Sequence, residues 1–173
     1  MADSPETSLI TDYLTGLFNR RFFNAMLLNE VSRAMRHRVP VTMLLADLDH
    51  LKEANELHGY TFGDKVLKIL ARILESSIRQ EDVVARYGAD EFAILLPHTD
   101  LRGGQVLRDR LQDRIDTSDA LSALGPEFKI SITVGMCQYT GEAKEMFIAR
   151  AEQALLRAKR GGDADELSVP VSV

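Results

Sequence analysis

The chain has no tryptophan, one cysteine, four histidines and only 6% aromatic residues. A lone Cys137 excludes an internal disulfide and a multi-cysteine zinc site, and suits a reducing compartment. His37 and His98 stand apart from any partner at metal-ligand spacing, and His58 beside Gly59 is expected in a loop. No apolar run approaches the roughly 20 residues that span a bilayer, and the start, Met1-Ala2-Asp3-Ser4-Pro5, has no signal-peptide character. An excess of positive charge is also missing. The net charge of -5 disfavours non-specific binding to nucleic acid or to an anionic membrane, although a phosphorylated ligand needs only a local cation. There are no repeats and no low-complexity tract. What is present is ordinary: 173 residues, 45% apolar and 27% charged, enough for one domain with a real core. The expectation is a soluble domain of the cytoplasm.

Residues 1–10 are polar and read as a tail or the stump of a linker, with the domain proper over 11–173. The loop Asp12 to Arg21 leads into a helix capped by Asn19, and Phe22, Phe23, Met26, Leu27, Val31 and Met35 make its apolar stripe before Pro40. Val41 to Ala46 is continuously apolar, a strand covered on both faces, and it ends abruptly in Asp47-Leu48-Asp49. A short helix over Leu51 to Leu57 is broken by Gly59, and a stronger one runs from Phe62 to Ile78. Two β-like segments, Asp82 to Ala85 and Phe92 to Leu96, flank a turn and form a hairpin. A helix over Leu101 to Ile115 follows. Alternation from Phe128 to Val134 predicts a half-exposed strand, Lys144 to Lys159 a last helix stopped by Gly161-Gly162, and Leu167 to Val171 an edge strand. Helices and strands mixed around a hairpin give an α/β class with a largely antiparallel sheet.

The chain is organised around Arg86-Tyr87-Gly88-Ala89-Asp90-Glu91-Phe92. Gly88 reads as the hairpin tip, where a positive φ is expected. Two acids sit there, and because side chains alternate along a strand only one of them shares a face with a third acid from elsewhere. Asp47 is the candidate: a carboxylate ending a buried strand is costly without a cation. Carboxylates meeting at one sheet edge repel, and oxygen-only ligands favour Mg²⁺ or Mn²⁺ over zinc. The following His50-Leu51-Lys52 could offer backbone N–H groups and a cation to phosphates. Phosphoryl or nucleotidyl transfer follows as the reaction class.

At these residues the chain resembles the GGDEF family, the diguanylate cyclases that condense two GTP into cyclic di-GMP and pyrophosphate. The likeness runs from Asp12 to Gly162 and rests on Asp12 to Leu17, Asn19-Arg20-Arg21, Asp47 to Lys52, Asn55, Gly59, Gly63-Asp64, Arg86 to Phe92, and Ala151 through Lys159. It implies a mostly antiparallel five-stranded sheet wrapped by helices, like the polymerase palm and the nucleotidyl cyclases. It implies Mg²⁺ on Asp47, Asp90 and the Leu48 carbonyl, with Asp90 as base for the ribose hydroxyl and Glu91 its acidic neighbour. Asn55 and Asp64 would bind guanine, and an acceptor-only carboxylate suits its N1–H and amine. Lys52 and Lys159 would face the triphosphate, with His50, Leu51 and Gly88 lining the site. One GTP per domain implies at least a transient homodimer. Arg79 and Asp82, five residues before the signature, match an inhibitory site for the product. Family members usually carry a sensory or receiver domain on the N-terminal side.

The match also fails in places. Ala89 replaces the second glycine of the signature, Leu51 a phenylalanine, Glu56 an aspartate and Tyr60 a histidine, and Gly161-Gly162-Asp163 follows where an arginine is expected, with Arg160 nearby. These departures predict a weakened cyclase. The alternatives are a catalytically inactive module that binds cyclic di-GMP or GTP, and a purely structural dimerisation domain, against which the retained acids argue.

Overall fold

The computed structural model describes residues 7–125, 130–162 and 165–166. In chain order the elements are α1 (Thr7–Ile10), β1 (Phe18–Asn19), α2 (Arg20–His37), β2 (Val41–Leu48), α3 (Leu51–His58), α4 (Tyr60–Glu75), β3 (Val83–Arg86), β4 (Glu91–Pro97), α5 (Leu101–Asp116), α6 (Asp119–Ser122), β5 (Ile132–Gln138), α7 (Lys144–Lys159) and β6 (Asp165–Glu166). The sheet order is β1-β3-β4-β2-β5-β6. The pairs among β3, β4, β2 and β5 are antiparallel, while the two-residue strands at the edges pair in parallel. This is the expected mostly antiparallel sheet, and the two short edges bring the described strands to six.

β2 lies at the centre because all eight of its residues are buried, as a continuous apolar run requires. Alternation divides it between two cores. Leu44, Ala46 and Leu48 pack with Leu70 and Leu74 of α4 and Leu107 and Leu111 of α5. Val41, Met43 and Leu45 pack with Phe23 and Leu27 of α2 and Phe147 and Ala151 of α7. Asp47 has the parity of the second set, so the sheet presents it to the α2/α7 side.

Asn19 caps α2 as expected, its side-chain oxygen accepting from the Phe22 N–H at 2.9 Å. The stripe of that helix differs at its end: Met35 is 64% exposed, and the chain turns away through Arg38 in the left-handed region. Glu30 is instead buried and pairs with Arg33 at 3.3 Å. α4 starts at Tyr60, directly after Gly59 at φ 81°, so the glycine separates two helices without a loop and His58 ends α3. β5 runs from Ile132 to Gln138 and is mostly buried, further along and deeper than the alternation around Phe128 suggests. Positions 126–129 and the proposed edge strand over Leu167 to Val171 lie outside the described residues. Cys137 is packing, fully buried with its thiol 3.6 Å from the Phe147 carbonyl. Among the described residues no helix is long and apolar enough to cross a membrane.

Candidate functional site

Antiparallel register sets Asp47 of β2 opposite Glu91 of β4, on one face of the sheet. Of the two acids at the hairpin, Glu91 is therefore the face-sharing one. Asp90 precedes β4, and its carbonyl accepts from the Leu48 N–H at 2.9 Å, tying the turn to the end of β2. Burial raises the Asp47 carboxyl, the charges of Asp90 and Asp49 add to that, and Lys159 opposes it. Burial likewise raises Glu91, with Asp47 and Asp90 contributing. Lys159 reaches from the last turn of α7 to place Nζ 2.7 Å from Asp47 Oδ2. Lys159, the lysine expected at the triphosphate, thus pairs with the buried acid. Asp49 is fully engaged elsewhere: its carboxylate accepts from Ser131 at 2.7 Å and Thr133 at 2.8 Å.

The donor set fits a hard divalent cation. Asp47 and Asp90 raise the local negative potential without a matching pair of cations, and all the atoms on offer are oxygens. Among the described residues no three His, Cys, Asp or Glu side chains form a ready metal cage. A two-carboxylate set with other positions open is the habit of Mg²⁺ where it meets phosphates.

Beside the acids a cavity of about 310 Å³ is lined by Leu51, Lys52, Asn55, Glu56, Tyr60, Ala89 and Asp90. His50 turns the chain into α3 at φ 60°, an unfavourable region for a side-chain-bearing residue. His50 faces Glu53 at 3.7 Å, and Lys52 is 86% exposed, 3.9 Å from Glu56. The Asn55 side-chain oxygen is buried without a hydrogen-bond partner. Gly63 makes that placement feasible, since a Cβ there would lie 2.0 Å from the same oxygen. Asp64 is exposed on the next position of α4 and does not line the cavity. Neither Gly88 nor Ala89 has a positive φ, so the positive φ expected at the tip is absent and Ala89 can stand in for glycine without backbone strain. Gly88 instead gives room: a Cβ would meet Glu91 Oε2 at 2.7 Å, the end of a side chain that can turn aside, and Glu91 Cβ at 3.2 Å. The exposed Ala89 contributes its methyl to the cavity wall.

The hairpin is also tied to the N-terminal loop. Arg86 donates from Nη2 to the Ala89 carbonyl at 2.8 Å and from Nη1 to Asp12 at 3.3 Å. Asp12 further accepts from the Thr15 N–H at 2.9 Å and hydroxyl at 2.7 Å. Burial alone would raise the Asp12 carboxyl, but the Thr15 donors and Arg86 together hold it below the ordinary 3.8. For a depressed carboxyl the unfolded chain binds more protons in the intervening range. Its stabilisation is therefore full above the ordinary value and lost as pH falls through the folded one. Asp12→Asn should accordingly lower the melting temperature at neutral pH, and the gap from the parent should narrow as melts are repeated down to about pH 3. A constant gap would mean that the charge of Asp12 is not what holds the loop.

Arg79 and Asp82 form a closed turn between α4 and β3. The Arg79 N–H donates to Asp82 Oδ2 at 2.8 Å and the Asp82 N–H to the Arg79 carbonyl at 3.2 Å. Burial raises the Asp82 carboxyl against the opposing Arg79 hydrogen bond. Both residues line a cavity of about 490 Å³ with His98, Thr99, Asp100 and Arg110. Arg110, which also donates to the Ser77 carbonyl, was hidden in the sequence among four arginines of α5 with nothing to mark its face. Arg20 was missed too. It lies over the Tyr87 ring at 4.3 Å, and its charge reaches Glu91.

An acidic sheet edge thus lies beside a cleft that carries a lysine and an amide. The family described as "Diguanylate cyclase, GGDEF domain" matches residues 9–165. The chain is 44% identical over 163 residues to the diguanylate cyclase DgcP of Pseudomonas aeruginosa, covering 92% of this chain and 24% of that protein. It is 35% identical over 156 residues to the response regulator PleD of Caulobacter vibrioides, covering 88% and 34%. The crystal structure of the diguanylate cyclase SiaD with its activator SiaC, from Pseudomonas aeruginosa, superposes with a TM-score of 0.83 at 34% identity, covering 92% of this chain and 62% of that one. The chain belongs to the GGDEF domain family of diguanylate cyclases. It spans about a quarter to a third of the length of the two curated relatives.

Proposed function

We propose that this domain condenses two GTP into cyclic di-GMP and pyrophosphate where two copies meet. The observation that carries the reading is the register of Asp47 with Glu91, with the adjacent Asp90 lining the cleft of Lys52 and Asn55. Folding alone gives no reason to gather three acids at one sheet edge. Asp47, Asp90 and the Leu48 carbonyl would hold Mg²⁺ or Mn²⁺, which when bound polarises phosphate oxygens and offsets their charge. Asp90 takes the proton of the attacking 3′-hydroxyl, with Glu91 sustaining the negative field beside it. Asn55 and Asp64 bind the guanine edge, and the exposed Lys52 meets the phosphates. His50 and Leu51 open α3 with backbone N–H groups for the same charges. Gly88 keeps the turn close to Glu91, and Lys159 exchanges its hold on Asp47 for the incoming phosphates. A cleft of about 310 Å³ is at the small end for ligand sites and suits one nucleotide, so the second comes on a second copy.

The larger cavity at Arg79 and Asp82 favours an accompanying role, retention of the product. Arg79 and Arg110 supply forks for phosphate or guanine, and Asp82 accepts from guanine N–H groups. Incubating the domain with GTP and Mg²⁺ at high concentration, with nucleotides resolved by mass, tests both roles. Cyclic di-GMP should accumulate faster than linearly with protein concentration. No product, with cyclic di-GMP still bound and Arg79→Ala removing that binding, would leave a receptor in place of an enzyme.

A further inference from the structure

Tyr60 is 82% exposed, yet it borders the cleft at Leu51, Asn55 and Asp90. Its place is set by the backbone: it is the first residue of α4, straight after Gly59 at φ 81° and ψ 162°. Four residues on, Asp64 lies one helical turn away on the same face. Between them Gly63 leaves room for the Asn55 amide, whose oxygen is otherwise unpartnered. Leu51, which also lines the cleft, is nearly buried, at 8%. The cleft therefore has an apolar side chain, an aromatic rim and the Asn55 amide, with Asp64 outside its lining but on the face of α4 that carries Tyr60. That arrangement suits a flat heteroaromatic ring held edge-on to the amide.

We propose that Tyr60 is the base-covering residue of this cleft, packing its ring on the guanine whose edge Asn55 and Asp64 read. The assignment rests on the GTP reading given above. Stacking is indifferent to which purine is present, because every base has a π-face. Tyr60 therefore supplies affinity for a nucleobase, while Asn55 and Asp64 supply the choice of guanine. It also makes Tyr60 a working replacement at a position where the family resemblance expects histidine, another planar ring.

The test compares the parent, Tyr60→Ala and Tyr60→Phe for binding of a GTP analogue that cannot be condensed, with inorganic tripolyphosphate as the probe lacking a base. Tyr60→Ala should weaken the analogue by about tenfold, leave tripolyphosphate unchanged, and melt at the parent's temperature because the side chain is exposed. Tyr60→Phe should restore the analogue's affinity, since the ring and not the hydroxyl makes the contact. Equal weakening of tripolyphosphate, or an analogue affinity untouched by Tyr60→Ala, would overturn the assignment and leave the GTP reading standing. A parent chain that binds tripolyphosphate as well as the GTP analogue would overturn both, because the cleft would then hold no base.

Discussion

Asp90→Asn should cut cyclic di-GMP synthesis by at least about 10³-fold, the range expected when a general base is lost together with a metal-binding carboxylate. The substitution keeps the shape of the side chain. The hydrogen bond that anchors the turn uses the Asp90 carbonyl, which accepts from the Leu48 N–H at 2.9 Å, so the hairpin keeps its place. Asp90 is one of the charges that raise Asp47 and Glu91. Neutralising it relieves that repulsion, and the variant should melt no lower than the parent. Cyclic di-GMP should still bind near Arg79, whose cavity includes none of the acids of the sheet edge. Synthesis would be followed by nucleotide chromatography and binding by calorimetry. Substantial synthesis remaining in Asp90→Asn would move the proton-accepting role to Glu91, the acid that directly faces Asp47. Loss of cyclic di-GMP binding would mean that the two sites are not separate.

The sequence made the acids legible because each sits where folding disfavours it. Asp47 follows five apolar residues and Thr42 in a buried strand, and Asp90-Glu91 occupies a turn next to another. Alternation also said that only one of the adjacent pair faces Asp47, although choosing Glu91 required the register of β2 on β4. Lys159 could not be placed this way. It comes from the far end of the chain, and its approach to Asp47 depends on α7 crossing the same sheet face. Asp49 directly follows β2, and its partners are Ser131, just before β5, and Thr133 on β5, a strand that runs further along than the alternation around Phe128 predicts. That misreading has a physical cause: β5 is covered on both faces from Val134 to Cys137, and a strand buried on both sides shows no alternation. The same limit applies to glycine. Gly88 reads as a source of positive φ, whereas its φ is not positive and its lack of a side chain leaves room for Glu91, a contact that composition and spacing do not encode.

Gly135→Ala should be the most damaging single substitution for the fold. Gly135 sits in β5 opposite Leu45 of β2, where α7 lies directly on the sheet. A Cβ at this position would fall 2.0 Å from the Leu155 backbone nitrogen, 2.4 Å from its Cα and 2.5 Å from the Ala154 carbonyl carbon. No flexible side-chain end is available to move aside. The helix itself must lift, opening its contacts through Ala151, Ala154 and Leu155, all buried. Overpacking of ordinary core sites costs about 1–3 kcal/mol. A clash with backbone on a central strand belongs at or above the top of that range, and about 3 kcal/mol lowers the melting temperature of a domain this size by about 10 °C. Lifting α7 also withdraws Lys159 from Asp47, leaving a buried acid without its cation. The loss of GTP condensation should therefore exceed what the unfolded fraction explains at a temperature where the variant is still folded. Scanning calorimetry and an assay at that temperature separate the two effects. A variant melting within about 2 °C of the parent, less than 1 kcal/mol for a domain of this size, would mean that α7 does not rest on β5 at Gly135. An unaltered rate in the folded fraction would mean that the position of Lys159 does not matter to the acids.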